Sequence, residues 1–255
     1  MPGTRVTLAV VQARMGSTRL PGKVLADLGG RPVLELMLDR LARAHVDHLV
    51  VATSDLPGDD PVADLATRVG VPVVRGSEAD VLGRFLVALD RFPADDVVRL
   101  TADCPLIDPL VVDAAVGLHR RTGADYTSNS LERTFPDGLD VEVVRAHVLR
   151  VAAVEAVRSD EREHVTPFLY HRPDRFALAS LETAEQLGHE RWTLDTAEDL
   201  ARLRTIVAAL DDPVAAGWHD VLAVAGVQDG PPRRLTLAPD LRFVNHRLDR
   251  QLAHR

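Results

Sequence analysis

Apolar positions along the chain switch between two rhythms. Residues 5–12 (Arg-Val-Thr-Leu-Ala-Val-Val-Gln) form a short, β-branched apolar run, the mark of a buried strand. After Pro32 the spacing changes to i, i+3, i+4, i+7 through Leu34, Met37, Leu38 and Leu41, which predicts a helix opened by that proline. The alternation repeats. His48–Thr53 is a second apolar run, followed by a helical face of Val62, Leu65, Ala66 and Val69 that ends at Gly70. Val71–Val74 predicts a third strand, Leu82, Phe85, Leu86 and Leu89 a helix, and Val97–Thr101 a fourth strand. Asp108 and Pro109 stand at N-cap and first-turn positions of a helix carrying Val111, Ala114, Ala115 and Leu118. Strands alternating with helices of this length predict βαβ units, hence an α/β fold with a mostly parallel sheet covered on both faces.

From about residue 124 the rhythm loosens. Tyr126–Asn129, Leu139–Val144, Phe176–Leu181 and Arg191–Leu194 read as strands, separated by two helical stretches. Thr196, with Asp199 three residues on, predicts a capped helix whose face is Leu200, Leu203, Val207 and Leu210. The pattern gives one domain over residues 1–228, with a less regular insertion at about 124–185. Residues 229–255 are expected to be an extension that packs on the body or on a partner subunit.

Composition narrows the function. A net charge of −8 is unsuited to a nucleic-acid binder, which needs a broad basic surface. No stretch is apolar enough for a bilayer, the N-terminus lacks a signal-peptide pattern, and the single Cys104 rules out an internal disulfide. A cytoplasmic protein is the expectation. Of 30 basic residues only Lys23 is a lysine, and it lies in a Gly/Pro loop after the first strand.

That loop, Ala13-Arg-Met-Gly-Ser-Thr-Arg-Leu-Pro-Gly-Lys23, offers Arg14, Arg19 and Lys23, the hydroxyl of Ser17 and glycine-permitted amides at Gly16. Guanidinium forks and an ammonium beyond the carboxyl end of a strand suit a triphosphate. The loop is not a Walker A motif, because five residues separate Gly16 from Gly22 and Val24 replaces the required hydroxyl residue; no G-x-G-x-x-G is present either. Asp103 and Asp195, each placed by the pattern at a strand end on the same sheet edge, supply the hard oxygens that Mg²⁺ favours. His45 and His48 have no companions at metal spacing, and Cys104 has no base beside it, so zinc and thiol chemistry are not expected.

The stretch Val11-Gln-Ala-Arg-Met-Gly-Ser-Thr-Arg-Leu-Pro-Gly-Lys-Val-Leu resembles the signature of CMP-sugar synthetases, closest to the spore-coat polysaccharide cytidylyltransferase branch and more distant from enzymes that activate KDO and sialic acid. The resemblance continues through Arg75-Gly-Ser-Glu-Ala-Asp-Val-Leu-Gly-Arg-Phe, Thr101-Ala-Asp-Cys-Pro-Leu-Ile-Asp, Phe135-Pro-Asp-Gly-Leu-Asp-Val-Glu, Arg162-Glu-His-Val-Thr-Pro and Arg191-Trp-Thr-Leu-Asp-Thr-Ala-Glu-Asp-Leu. It implies a Rossmann-like fold of the nucleotide-diphospho-sugar transferase type and transfer of CMP from CTP to a hydroxyl of a sugar acid or similar acceptor, with loss of pyrophosphate. By the same resemblance Asp103 and Asp195 hold Mg²⁺, and Arg14 and Lys23 join them in catalysis. Ala13, Gly16, Ser17, Arg19, Arg75, Gly76 and Ser77 complete the nucleotide site, while Asp140, Glu142 and His164 face the acceptor. A homodimer is expected on this ground alone. Ala102 stands where the family usually has glycine. Two other readings stay open: a nucleotidyltransferase using another NTP or a sugar-phosphate or phosphonate acceptor, and a non-catalytic nucleotide-binding module.

Overall fold

The computed structural model describes residues 5–226 and, as backbone, the strand 241–245. Its strands are β1 (Thr7–Gln12), β2 (His48–Ser54), β3 (Val73–Gly76), β4 (Asp96–Thr101), β5 (Tyr126–Ser128), β6 (Glu142–Arg145), β7 (Leu178–Thr183) and β8 (Leu241–Asn245). The helices are α1 (Val33–Leu41), α2 (Asp60–Arg68), α3 (Val81–Arg91), α4 (Pro109–Thr122), α5 (Ala146–Glu155), α6 (Ser159–His164), α7 (Pro167–Tyr170), α8 (Ala197–Ala208) and α9 (Trp218–Ala225). All strands join one sheet in the order β3-β2-β1-β4-β6-β5-β7-β8. β3, β2, β1 and β4 are parallel, β6 runs against both its neighbours, β5 and β7 are parallel, and β8 closes the edge antiparallel to β7.

Strand alternation divides the core in two. Val11 and Ala9 turn toward a layer that takes in Leu34, Leu65, Val112 and Leu203, from α1, α2, α4 and α8. Leu8 and Val10 turn toward Leu82, Phe85, Leu149 and Phe168, from α3, α5 and α7. The α/β architecture expected from the pattern is present, and β1 and β4 flank the point where strand order reverses. A crevice opens there beyond the carboxyl ends of the strands.

One predicted strand is absent. Arg191–Leu194 is extended but makes only a single bridge, Asp137 to Arg191. That bridge includes Trp192 N–H to the Asp137 carbonyl (2.6 Å), and beyond it Leu194 N–H bonds the Asp103 carbonyl (2.8 Å). The close approach needs Gly138, at φ 114°, because a Cβ there would lie 2.8 Å from the Trp192 carbonyl carbon. Apolar alternation at 192 and 194 reflects burial of Trp192 and Leu194 without a ladder. Asp195 therefore follows a strap held at two points. Of the tail, Leu241–Asn245 is an edge strand; the 228/229 boundary and the remaining extension lie outside the described residues. Among the described residues no helix is long and apolar enough to cross a membrane.

At the amino end of the sheet, His119 is wholly buried with Nδ1 on the Thr127 hydroxyl (2.9 Å) and Nε2 3.3 Å from Asp96. Arg5 and Arg120 also reach Asp96. Burial outweighs the pull of Asp96, and Arg145 and Arg5 add repulsion, so the His119 pKa lies below its ordinary 6.5. A His pKa lower in the folded than in the unfolded chain gives stability that is whole above the unfolded value and is lost as pH falls below it. Between about pH 7 and pH 5 the melting temperature should drop more steeply than in His119→Gln, read by thermal melts at stepped pH. Equal slopes would place the titration elsewhere.

Candidate active site

The loop after β1 is shaped by glycine geometry. Gly22 takes φ 72°, ψ 12°, a left-handed conformation open to glycine without strain, and its N–H bonds the Met15 carbonyl at 3.0 Å. Ser17 N–H shares that carbonyl (3.0 Å), and Ser17 Oγ accepts from Leu20 N–H (3.3 Å). The folded-back loop starts a 3-10 turn at Lys23 and sends its side chain across the crevice. There Nζ donates to Asp103 Oδ2 (3.2 Å), Asp195 Oδ1 (2.9 Å) and the Leu194 carbonyl (2.6 Å). Three donors meet three acceptors.

Asp103 stands two residues beyond β4, in a turn closed by Cys104 N–H to the Thr101 carbonyl (3.1 Å). Asp195 precedes α8, whose capping box is formed by Thr196 and Asp199 as the sequence predicts. Arg19 reaches Asp195 Oδ1 at 2.8 Å and Arg191 reaches Oδ2 at 2.6 Å. Burial works against ionising Asp195, but the bond and charge of Lys23, with Arg191 and Arg19, outweigh it and hold its carboxyl below the usual range. Lys23, Asp103, Asp195 and Arg19 line a cleft of about 280 Å³ together with Gln12, Ala13, Arg14, Gly16 and Ser17. Arg14 lies between Glu78 (3.7 Å) and Glu163 (3.6 Å).

The donor set suits Mg²⁺: two carboxylates and a carbonyl converge on one cationic atom, and all are hard oxygens. Among the described residues no group of three or more His, Cys, Asp or Glu forms a metal cage. A divalent ion here would depend on phosphate and water for its remaining ligands. Cys104 is no nucleophile, because burial and then the Asp103 charge push its thiol pKa well up.

Three expected nucleotide residues are placed differently from the loop. Val74 packs in the α3/α5 layer, so Arg75 turns to the opposite sheet face. There it binds the carbonyls of Ser54 (2.8 Å) and Leu56 (2.9 Å) and the Asp60 carboxylate (2.6 Å). Gly76 lies against Arg84, whose Nη1 donates to the Ser77 carbonyl at 3.3 Å. None of the three lines the cleft.

A second pocket of about 460 Å³ is lined by Arg99, Glu142, His164, Thr166, Tyr126 and Tyr170 among others. Glu142 and His164 both line it. Asp140 is not on the strand; it lies before β6, locked to Arg133 by two bonds of 2.8 and 2.9 Å, and Arg133 itself lines the pocket. Glu142 faces in and is bound by Arg99 and the Thr166 hydroxyl. Val165 between His164 and Thr166 is wholly buried at φ 71°, ψ −52°. Thr166 N–H closes that tight turn on the His164 carbonyl at 2.8 Å, aiming both neighbours at the pocket.

Residues 8–207 match the family model described as Cytidylyltransferase. The chain belongs to the cytidylyltransferase family. Among relatives of this cytidylyltransferase, the spore coat polysaccharide biosynthesis protein SpsF of Bacillus subtilis is 35% identical over 207 residues, 78% of this chain and 85% of that protein. A 3-deoxy-manno-octulosonate cytidylyltransferase of Rhizobium etli is 31% identical over 222 residues, covering 80% and 84%. In structure the enzyme is similar to a cytidylyltransferase from Leptospira borgpetersenii, with TM-score 0.84 and 30% identity over 92% of this chain and all of that one. It is thus a nucleotidyltransferase.

Sequence reasoning passed over several residues of this cytidylyltransferase. Asp59, in the turn before α2, accepts from Met15 N–H at 2.6 Å and so anchors the loop after β1. Arg99 interrupts the apolar run Val97-Val98-Arg99-Leu100, and a charge inside a buried strand was the available signal. Glu78 and Glu163 gave none, since their partner Arg14 comes from a distant segment, and Arg191, four residues before Asp195, sits in a stretch that reads as a strand.

Proposed function

We infer that the enzyme transfers CMP from Mg²⁺-bound CTP to a hydroxyl of a sugar acid or similar small acceptor. The observation that carries this reading is Lys23 Nζ joined at once to Asp103 and Asp195, at the mouth of a cleft edged by Arg14 and Arg19. In this reading the triphosphate lies in the cleft and the acceptor in the neighbouring pocket with Glu142 and His164. Asp103 and Asp195 would hold the magnesium ion, which supplies charge neutralisation at the phosphates and the leaving pyrophosphate. Arg14, Arg19 and the Lys23 ammonium bind and orient the phosphate oxygens. The acceptor hydroxyl attacks the α-phosphorus in line, its proton passes to solvent or a nearby base, and the bond to the β-phosphate oxygen breaks. Positioning and charge carry most of the acceleration.

The acceptor-facing segment at about 124–185 and a homodimer belong to the same reading. Pyrophosphate release, assayed with CTP, UTP, ATP and GTP against sugar acids, sugar phosphates and phosphonates, tests it. Release is expected with CTP, a divalent ion and a sugar acid. Release with another NTP or with a phosphonate alone would replace it by the broader nucleotidyltransferase reading. Failure of Mg²⁺ and CTP to raise the melting temperature would point to a non-catalytic module.

A further inference from the structure

The cleft and the acceptor pocket share a wall made of side chains. Along one sheet face, β4 and β6 pair Arg99 opposite Glu142, and β5 and β6 pair Ser128 opposite Glu142. Gln12 ends β1 on the same face, since Leu8 and Val10 point into the layer beneath. Arg99 Nη1 bonds Glu142, Arg99 Nε donates to Gln12 Oε1 at 3.1 Å, and the Thr166 hydroxyl bonds the other Glu142 oxygen. Gln12 lines the cleft, while Arg99 and Glu142 line the pocket.

The chemistry of this row fixes which way the Gln12 amide points. A guanidinium only donates, so the carboxamide oxygen must face Arg99 and the NH₂ group must turn away from it. Nothing among the described residues accepts from Gln12 Nε2. It is a donor without a protein partner among the described residues, on the cleft side of the bond that joins Gln12 to the pocket residue Arg99. In a transferase the atom that lies between the nucleotide and its acceptor is the one being transferred.

We propose that Gln12 Nε2 donates a hydrogen bond to the α-phosphoryl oxygen of the bound nucleotide, with Arg99 as the positioning residue that sets the amide. This rests on the transferase reading above. It assigns a neutral donor where Arg14, Arg19 and Lys23 supply charge.

Gln12→Glu separates this role from a structural one, because the two effects have opposite signs. A carboxylate gives Arg99 an ionic partner, so the melting temperature should hold or rise. The same carboxylate faces the phosphoryl group, so affinity for CMP and for Mg²⁺-bound CTP should each fall at least about tenfold. Gln12→Met keeps the length, removes the donor and should weaken both ligands about threefold to tenfold. Calorimetric titration of each variant with CMP and with CTP reads these values, alongside thermal melts. Gln12→Glu binding CMP within about twofold of the wild type would overturn the proposal. So would a loss confined to CTP, which would put the donor on the β- or γ-phosphate. If the unmodified protein binds CTP while the Gln12 variants are unaffected, the transferase reading stands and this assignment falls. Absence of CTP binding by the unmodified protein would remove both.

Discussion

Lys23→Ala is expected to lower kcat for pyrophosphate release by at least about 10²–10³-fold, the range for losing one preorganised charge-stabilising donor. Asp103→Asn should do the same. Both should leave the fold in place. Asp195 keeps Arg19 and Arg191 as partners when the ammonium is gone, and the Asp103 side chain, 31% exposed, is partly hydrated. In Asp103→Asn, Lys23 retains Asp195 and the Leu194 carbonyl. Circular dichroism and melting curves check the fold, and a coupled pyrophosphate assay reads turnover with CTP and the acceptor found by screening. Turnover close to wild type in either variant would take the reaction away from this cleft. Lys23→Arg is a useful companion: a planar fork is not a substitute for an ammonium among three converging oxygens, so it should rescue little.

Asp59→Ala should lower the stability of the fold and should also weaken CTP binding. Its carboxylate is 4% exposed, with Oδ1 on Met15 N–H at 2.6 Å and Oδ2 on the Ser54 hydroxyl. It also supplies negative charge near Arg84, which is 2% exposed and whose pKa burial lowers first, with Arg14 adding to the shift. Removing a buried ionised acceptor leaves its donors unpaired and costs about 2–3 kcal/mol. Urea unfolding measures that loss. The functional consequence is distinct, because Met15 also supplies the carbonyl that folds the loop back on Gly22 and Ser17. A loop freed at Met15 should present Arg14 and Lys23 less often in a binding geometry, so the affinity for CTP falls even in the folded fraction. Unchanged CTP affinity in a destabilised variant would show that the loop holds its shape without Asp59.

Much of the fold was legible because periodicity reports burial. The run of β1, the face of α1 and the box at Thr196 all depend on neighbours within a few residues, and each is present. The cationic loop after β1 was legible for the same reason: its cations, hydroxyl and glycines lie in one short stretch. Arg191–Leu194 shows where that logic stops, since alternate burial in a strap looks like alternate burial in a strand while ladder bonds depend on a distant segment. Arg75 shows it again. Its place beside Gly76 and Ser77 in the chain says nothing of the sheet face it takes, and Val74 in the core turned it toward Ser54, Leu56 and Asp60.

By itself the sequence determined the α/β class, the cationic loop after the first strand, and the two aspartates, because each is written in local pattern or residue type. Only the tertiary structure decided that Lys23 lies between Asp103 and Asp195, partners 80 and 172 residues away along the chain. It alone decided that Asp140 is bound to Arg133, and that Gln12, Arg99 and Glu142 form one row from cleft to pocket. The reason is physical: pairing between distant residues is set by strand register and by which segments the core draws together, and neither quantity is local in the chain.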